Sequence, residues 1–294
     1  TPALEFVQRE SRLVILGGPG AGKSTLLKKV GVEAWKQSKL DKKGKQLLPV
    51  FIDLKRFSRQ QEININLKEE IIKEVRICGI KTNTEKIILT FLDKGRLLIL
   101  LDWLDELLQE KRIEAIDAIQ NFSDEYYENS FLVSCRLAAY QSKRLGNFQD
   151  VEIAVFKESQ IRETILRWFS EQDENIGNDC FQKINLPKNS SVKKLADTPL
   201  LLTLICIFYQ QTGRFPINRS ILYEKAIETL LEGWNASKGF LDRYESLLDN
   251  RQTEVLLETI AYDAFEEGNL FMYQRLMSRR VEETLHDMDI DLNI

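Results

Sequence analysis

Residues 17 to 24 read Gly17-Gly18-Pro19-Gly20-Ala21-Gly22-Lys23-Ser24. Two glycines with four residues between them, then Lys and Ser, form a phosphate-binding pattern. It should arise by chance in on the order of one chain in a hundred of this size. The flanks strengthen it. Leu13-Val14-Ile15-Leu16 reads as a buried strand just before the octad, and Leu26-Leu27-Lys28-Lys29-Val30 as a helix just after it. Strand, glycine loop and helix are the setting this motif requires.

The residue types account for the chemistry. Glycines let the backbone curl and turn its N–H groups toward an anion. The helix that follows adds the positive end of its dipole. Lys23 can reach β- and γ-phosphates as a flexible point charge. Ser24 offers a hydroxyl to Mg²⁺, a hard cation that prefers oxygen. Thr25 is a further candidate phosphate contact. The competing reading is a glycine-rich turn before an ordinary helix.

A second apolar run, Leu97-Leu98-Ile99-Leu100-Leu101, ends in Asp102-Trp103-Leu104-Asp105-Glu106. A buried strand that ends in Asp delivers a carboxylate to the carboxyl edge of a parallel sheet, where a phosphate loop also opens. Asp102 can hold Mg²⁺ opposite Ser24. Asp105 and Glu106 can orient or deprotonate a water. The alternative is an acidic turn that caps the next helix.

Strand and helix patterns alternate through about residue 156. The strands are Leu13–Leu16, Leu47–Leu54, Leu97–Leu101, Phe131–Cys135 and Val151–Phe156. This order predicts a doubly wound α/β domain with a parallel sheet and right-handed crossovers. Asn66 with Glu69 and Thr82 with Glu85 read as capping boxes, and Gly95 as a helix stop. Beyond Glu158 only helical periodicity remains: Ser159–Ser170, Val192–Ala196, Pro199–Gln211, Ile221–Trp234 and Thr253–Glu267. Thr198-Pro199 marks a helix start, and Asp173–Asn178 reads as the most linker-like stretch.

Composition bounds the partners. The chain has 294 residues and a net charge of −4, so no whole-chain basic field argues for nucleic acid or an anionic membrane. The basic run Lys36–Lys45 reads as a solvated helix end and loop. Cys78, Cys135, Cys180 and Cys206 form no CxxC pair, and with a single His they make no zinc site. They read as reduced thiols of a cytoplasmic protein. The longest apolar run, Leu200–Phe208, is too short to span a bilayer. Thr1 is not an initiator, and the chain reads as a piece of a longer protein.

Together, GGPGAGKST and LLILLDWLDEL resemble the NACHT group of the STAND signalling ATPases. Those domains typically show an apolar strand ending Asp-Gly-(Leu/Phe)-Asp-Glu. Leu48–Phe57 resembles the family's second strand. Phe131–Arg136 resembles its sensor strand, which ends in Arg, and Leu195–Leu202 its helical-domain motif. The resemblance runs in order from about residue 10 to residue 235.

It implies a P-loop NTPase sheet over residues 1–157, a small all-α helical domain over 158–215, and the start of a winged-helix-like domain over 216–294. It implies that Gly17, Gly18, Pro19, Gly20, Ala21, Gly22, Lys23, Ser24 and Thr25 hold ATP or ADP. Ser24 and Asp102 would serve Mg²⁺, and Asp105 and Glu106 hydrolysis, with Glu106 slightly favoured as base. Arg136 would sense the γ-phosphate, and Pro199 would lie against the base. An ion-paired Arg136 and a Pro199 that merely starts a helix are the competing readings.

Two departures stand out. Trp103 occupies the position of the usual small residue. The single histidine, His286, has no convincing counterpart of the one that locks ADP in animal relatives. A winged helix could read DNA, but the acidity of Glu282–Asp291 argues against it.

The function expected on this basis is a nucleotide-dependent signalling switch with slow ATP hydrolysis. It would rest with ADP and form homo-oligomers with ATP. Its trigger and its effector would lie outside this segment, and prokaryotic relatives imply antiviral defence. A motor ATPase of the AAA+ kind and, further off, a small-molecule kinase are the alternatives. Tightly held ADP with low turnover would separate the first from the second. Transfer of phosphate to an acceptor other than water would point to the third.

Overall fold

The computed structural model describes residues 10–40, 47–59, 65–80, 82–107, 109–140, 143–171, 174–216, 218, 220–225, 227, 248–268 and 274–288. Most of the expected helix Ile221–Trp234, the end of the basic run Lys36–Lys45 and the last residues of the acidic stretch lie outside them.

Among the described residues, five strands form one all-parallel sheet: β1 Arg12–Leu16, β2 Leu48–Asp53, β3 Leu97–Asp102, β4 Ser130–Cys135 and β5 Gln149–Glu152. Their spatial order is β2-β3-β4-β1-β5. Helices α1 Lys23–Leu40, α2 Leu67–Ile77, α3 Thr84–Asp93 and α4 Gln109–Glu125 fill the connections.

Alternation along each strand sorts the apolar side chains to two faces. Val14, Leu16, Ile99, Leu101, Phe131 and Val133 join one core cluster with residues of α2, α3 and α4. Leu13, Ile15, Leu98, Leu100 and Leu132 pack with Leu27 and Val30 of α1. With both faces covered, a strand needs apolar residues at every position, and Leu97 to Leu101 are all buried. Each such side chain contributes about 1.5–3 kcal/mol of burial free energy.

Polar groups set the ends of these elements. Gly95, at φ +57°, lets its own N–H reach Leu92 O at 3.0 Å and that of Arg96 reach Phe91 O at 2.8 Å, closing α3. The buried Asn129 amide then fixes the start of β3. Its Oδ1 accepts the Leu97 N–H at 3.0 Å, and its Nδ2 donates to Leu92 O at 2.9 Å and Tyr126 O at 3.0 Å.

Some local expectations are corrected. Asn66 accepts the Glu69 N–H at 3.3 Å, as a capping residue should, but Glu69 answers the Asn66 side-chain amide instead of its backbone. Thr82 and Glu85 make no capping box. Asn83 is the residue before α3 and sits in the left-handed region at φ 55°, so the chain enters the helix by a turn that Asn tolerates. Of the linker-like stretch Asp173–Asn178, Asp173 lies outside the described residues, and Glu174 to Asn178 form the start of α6. β5 lies earlier than Val151–Phe156 because its partner positions are Leu13 to Leu16 of β1. It is an edge strand and mostly exposed, so its apolar pattern is weak.

The chain divides into two compact units. One runs to Glu158 and includes Asp197–Leu200; the other comprises Ser159–Ala196 and the residues from Leu201. The second unit contains α5 Glu158–Phe169, α6 Glu174–Ile184, α7 Ser190–Leu195, α8 Pro199–Thr212, α9 Asn250–Glu266 and α10 Gln274–Asp287, apart from the few terminal residues grouped with the first. Ile165, Phe169, Cys180, Ile184, Leu202, Ile205 and Cys206 are buried. Tyr209 donates its hydroxyl to Asp179 and accepts from Lys183 at 3.0 Å. Asp249 caps α9 reciprocally with Gln252, which starts that helix before Thr253.

Candidate functional site

The central strand β1 runs straight into the glycine loop. Gly20 and Gly22 hold φ values of +70° and +92°, a region that side chains with a Cβ adopt at a cost. The Ala21 N–H bonds Gly18 O at 3.3 Å and the Leu26 N–H bonds Gly22 O at 2.8 Å, so the loop curls directly into α1. A Cβ at Gly18 would meet nothing within 4 Å. Ser24 is half-buried in the first turn of α1, and Thr25 is exposed.

Lys23 is 9% exposed, and its Nζ donates to Gly17 O at 2.9 Å and Gly18 O at 3.0 Å. Burial lowers its pKa from the ordinary 10.5. The nearby Asp105 carboxylate opposes that shift, and Arg136 adds to it. The loop lysine, the acidic edge and the strand-end arginine therefore share one electrostatic neighbourhood.

The acidic edge is built by the register of β3. Asp102 is fully buried at the strand's last position. Its Oδ1 accepts the Ser134 hydroxyl and the Trp103 N–H at 3.1 Å. Its Oδ2 is buried with no hydrogen-bond partner among the described residues. A buried carboxylate oxygen without a donor is costly unless a cation or a polar ligand answers it. This donor set, with the Ser24 hydroxyl in the first turn after the glycine loop, is of the oxygen kind that a hard divalent cation such as Mg²⁺ takes.

Trp103 turns the chain out of the strand at φ 64° and ψ 42°. The backbone here needs a left-handed residue, which explains why glycine is the usual occupant of this position in the resemblance noted above. Tryptophan adopts that conformation at a cost of about 1–2 kcal/mol.

Asp105 and Glu106 follow on a short helical turn, Leu104–Glu106. The Asp105 side chain is 5% exposed, and both of its oxygens are taken by Arg136. Oδ1 accepts the Arg136 backbone N–H at 3.1 Å, and Oδ2 lies 2.9 Å from Arg136 Nε. Glu106 is 34% exposed, and its Oε1 lies 3.3 Å from Arg136 Nη2. The expected strand-end arginine is thus ion-paired, and its partners are the two carboxylates singled out for hydrolysis.

Pro199 also lies near the loop. A Cβ on Gly22 would stand 3.7 Å from its Cγ, and the Leu200 N–H donates to Gly20 O at 3.3 Å.

Other residues at this edge are absent from the sequence reading. Ser134 was readable as the polar break in the apolar run Phe131–Cys135. Arg112 carried no signal. It lies on α4 and donates to Ala139 O at 2.8 Å, Leu107 O at 2.8 Å and Asp105 O at 3.4 Å, tying the acidic turn to the turn after β4. Lys55, beyond β2, comes within 3.9 Å of Glu106 Oε2.

The sequence profile of the NACHT domain matches residues 11–172. The chain belongs to the NACHT family. The matched span takes in all five strands, the phosphate loop, the acidic edge and Arg136, and ends before Pro199. This NACHT domain is accordingly a nucleotide-binding NTPase of the P-loop type. Among solved structures it is similar to Cdc6p from Pyrobaculum aerophilum, at 13% identity and a TM-score of 0.41, covering 96% of this chain and 76% of that one. It is also similar to PCH-2 of C. elegans, at 14% identity and 0.38, covering 79% of this chain and 65% of that one. No curated protein matches it. Among the described residues, no helix of this NACHT domain is long and apolar enough to cross a membrane.

Proposed function

We propose that this NACHT domain binds ATP and hydrolyses it slowly, as a switch between an ADP-bound resting form and an ATP-bound form that self-associates. The observation that carries this reading is the double engagement of Arg136 by Asp105 and Glu106 at the edge where Lys23 sits. A γ-phosphate at that edge competes for the same guanidinium, so the two nucleotides differ in what they ask of one side chain. Such a differential contact is what a nucleotide switch requires.

In this reading the glycine loop and Lys23 bind the phosphates, and Pro199 lies beside the base. Ser24 and Asp102 hold Mg²⁺, which would neutralise phosphate charge when bound. Glu106 rather than Asp105 takes the proton of the attacking water, because the Asp105 side chain is nearly buried and held by Arg136 at 3.1 and 2.9 Å, whereas Glu106 is a third exposed and its cations lie farther off, at 3.3 and 3.9 Å. The water oxygen bonds to the γ-phosphorus, the bond to the bridging oxygen breaks, and ADP departs with phosphate. Arg136 supplies charge to the transferring group, as guanidinium binds phosphate oxygens in pairs. Arg112 and Asp105 hold the turn that presents Glu106.

The test is paired. Lys23→Ala should abolish ATP binding and ATP-dependent assembly, read by calorimetry and by light scattering after size exclusion. Glu106→Gln should bind ATP, turn it over at least about a hundredfold more slowly, and accumulate the assembled form. Undiminished ATP affinity in Lys23→Ala would overturn the site. Normal turnover in Glu106→Gln would overturn the base. Rapid turnover stimulated by DNA or unfolded protein would replace the switch with a motor.

A further inference from the structure

Glu106 stands between two cations on different oxygens. Arg136 Nη2 is 3.3 Å from Oε1, and Lys55 Nζ is 3.9 Å from Oε2. The two arrive from opposite sides, because β3 lies between β2 and β4 in the sheet. Register brings Lys55 there. Asp53, the last residue of β2, is the partner of Asp102. The Asp53 carboxylate accepts the Lys55 N–H at 2.9 Å, so the chain turns over the sheet edge at that point.

Lys55 has a second neighbour. Its ammonium lies 5.7 Å from the centroid of the Trp103 ring. That ring belongs to the one residue of the acidic edge with a left-handed backbone. A lysine that is 54% exposed is ordinarily free to move in water. An aromatic face beside it narrows where the ammonium sits.

We propose that Lys55 is a positioning residue for the water-activating carboxylate, seated on the Trp103 ring and acting through Glu106. The proposal rests on the reading of Glu106 as base. A γ-phosphate that draws the Arg136 guanidinium toward itself draws Nη2 away from Glu106. When the guanidinium turns to phosphate, Glu106 loses one cation, and Lys55 keeps the other in place. A displacement of about 1 Å at a catalytic group can slow a reaction by up to about a hundredfold, so the remaining tether matters for turnover and not for binding. Trp103 in place of a glycine is then the seat of that tether.

The experiment measures steady-state ATP hydrolysis and equilibrium binding of a fluorescent ATP analogue on the intact chain. The variants are Lys55→Ala, Lys55→Arg, Glu106→Gln and the double variant Lys55→Ala with Glu106→Gln. Lys55→Ala should lower kcat about tenfold and change nucleotide affinity less than about twofold. Lys55→Arg should recover most of the loss. The double variant should be no slower than Glu106→Gln alone. The proposal is overturned if Lys55→Ala turns over at the parental rate, if it slows the Glu106→Gln background by the same factor, or if affinity falls as far as kcat. A slow Glu106→Gln beside a full-speed Lys55→Ala removes Lys55 alone and leaves the proposed function standing. A full-speed Glu106→Gln removes the base itself.

Discussion

Arg136 binds Asp105 twice, through its backbone N–H at 3.1 Å and its Nε at 2.9 Å, so one carboxylate fixes both the main chain and the side chain of the strand-end arginine. Asp105→Ala removes both bonds from a nearly buried position. It should destabilise the first unit by about 1.5–3 kcal/mol, the range for hydrogen bonds to charged groups, with Asp105→Asn falling between. Urea denaturation followed by circular dichroism checks this. A midpoint unchanged in Asp105→Ala would mean that solvent replaces the pair without loss.

Trp103 gives a test of backbone strain that separates φ from the ring. Trp103→Ala and Trp103→Gly both remove the indole, but only glycine relaxes a residue at φ 64°. The glycine variant should therefore be the more stable of the two by about 1 kcal/mol, the reverse of the order at an ordinary ordered site. Thermal melts of the pair decide it, and an alanine variant equal to or above the glycine variant would contradict a left-handed Trp103.

Gly20 and Gly18 should answer alanine differently. At Gly20 a Cβ would fall 2.5 Å from the Leu200 Cβ, on a backbone at φ +70°. Gly20→Ala should lose more than about 1 kcal/mol of stability. At Gly18 nothing lies within 4 Å, and Gly18→Ala should stay within about 0.5 kcal/mol of the parent. Chemical denaturation of both variants gives the comparison.

On the proposed function, Lys23 sets a pH limit on phosphate binding. Its pKa in the fold is lowered from 10.5, mainly by burial. Its charge is present below that lowered value and is lost as pH rises through it. Affinity for ATP should then fall at a pH under 10.5, and binding there should take up a proton. The sign for folding is opposite. Between the lowered value and 10.5 the unfolded chain holds the proton more firmly, so this residue's contribution to stability rises with pH across that window. Calorimetry in buffers of different ionisation enthalpy reads the proton, and ATP binding with no uptake at that pH would contradict a lowered Lys23.

The cysteines divide by burial. Cys78 is exposed, whereas Cys135, Cys180 and Cys206 are buried. Burial pushes the Cys135 and Cys206 thiols up to about 12 and raises that of Cys180 as well. An alkylating reagent near neutral pH should label Cys78 at once and the others only on unfolding. Peptide mass spectrometry after timed quenching gives the order.

The sequence carried the sheet better than its edges. β1 and β3 were legible because strands buried on both faces need unbroken apolar runs, and each such run here opens onto a motif. The glycine turn before α1 and the carboxylate that ends β3 were legible because their residue types seldom occur together at such places. β5 was displaced because an exposed edge strand has little apolar periodicity. The Thr82–Glu85 reading failed because Asn83 offered a left-handed entry that pattern alone does not reveal. The pairing of Arg136 with Asp105 and Glu106, and the approach of Lys55, depend on side chains from three neighbouring strands. Such meetings follow from strand order and register, which no local window contains.

Asn129 has a consequence at a distance from itself. Its amide gauges where β3 begins by gripping Leu97 at the amino edge of the sheet. Side chains along a strand switch faces with every residue, so sliding β3 by one place would swing Asp102 to the wrong side and pull the whole acidic corner out of line with the loop. The alignment of the acidic corner is thus metered a full strand length away, by an amide at the opposite edge of the sheet.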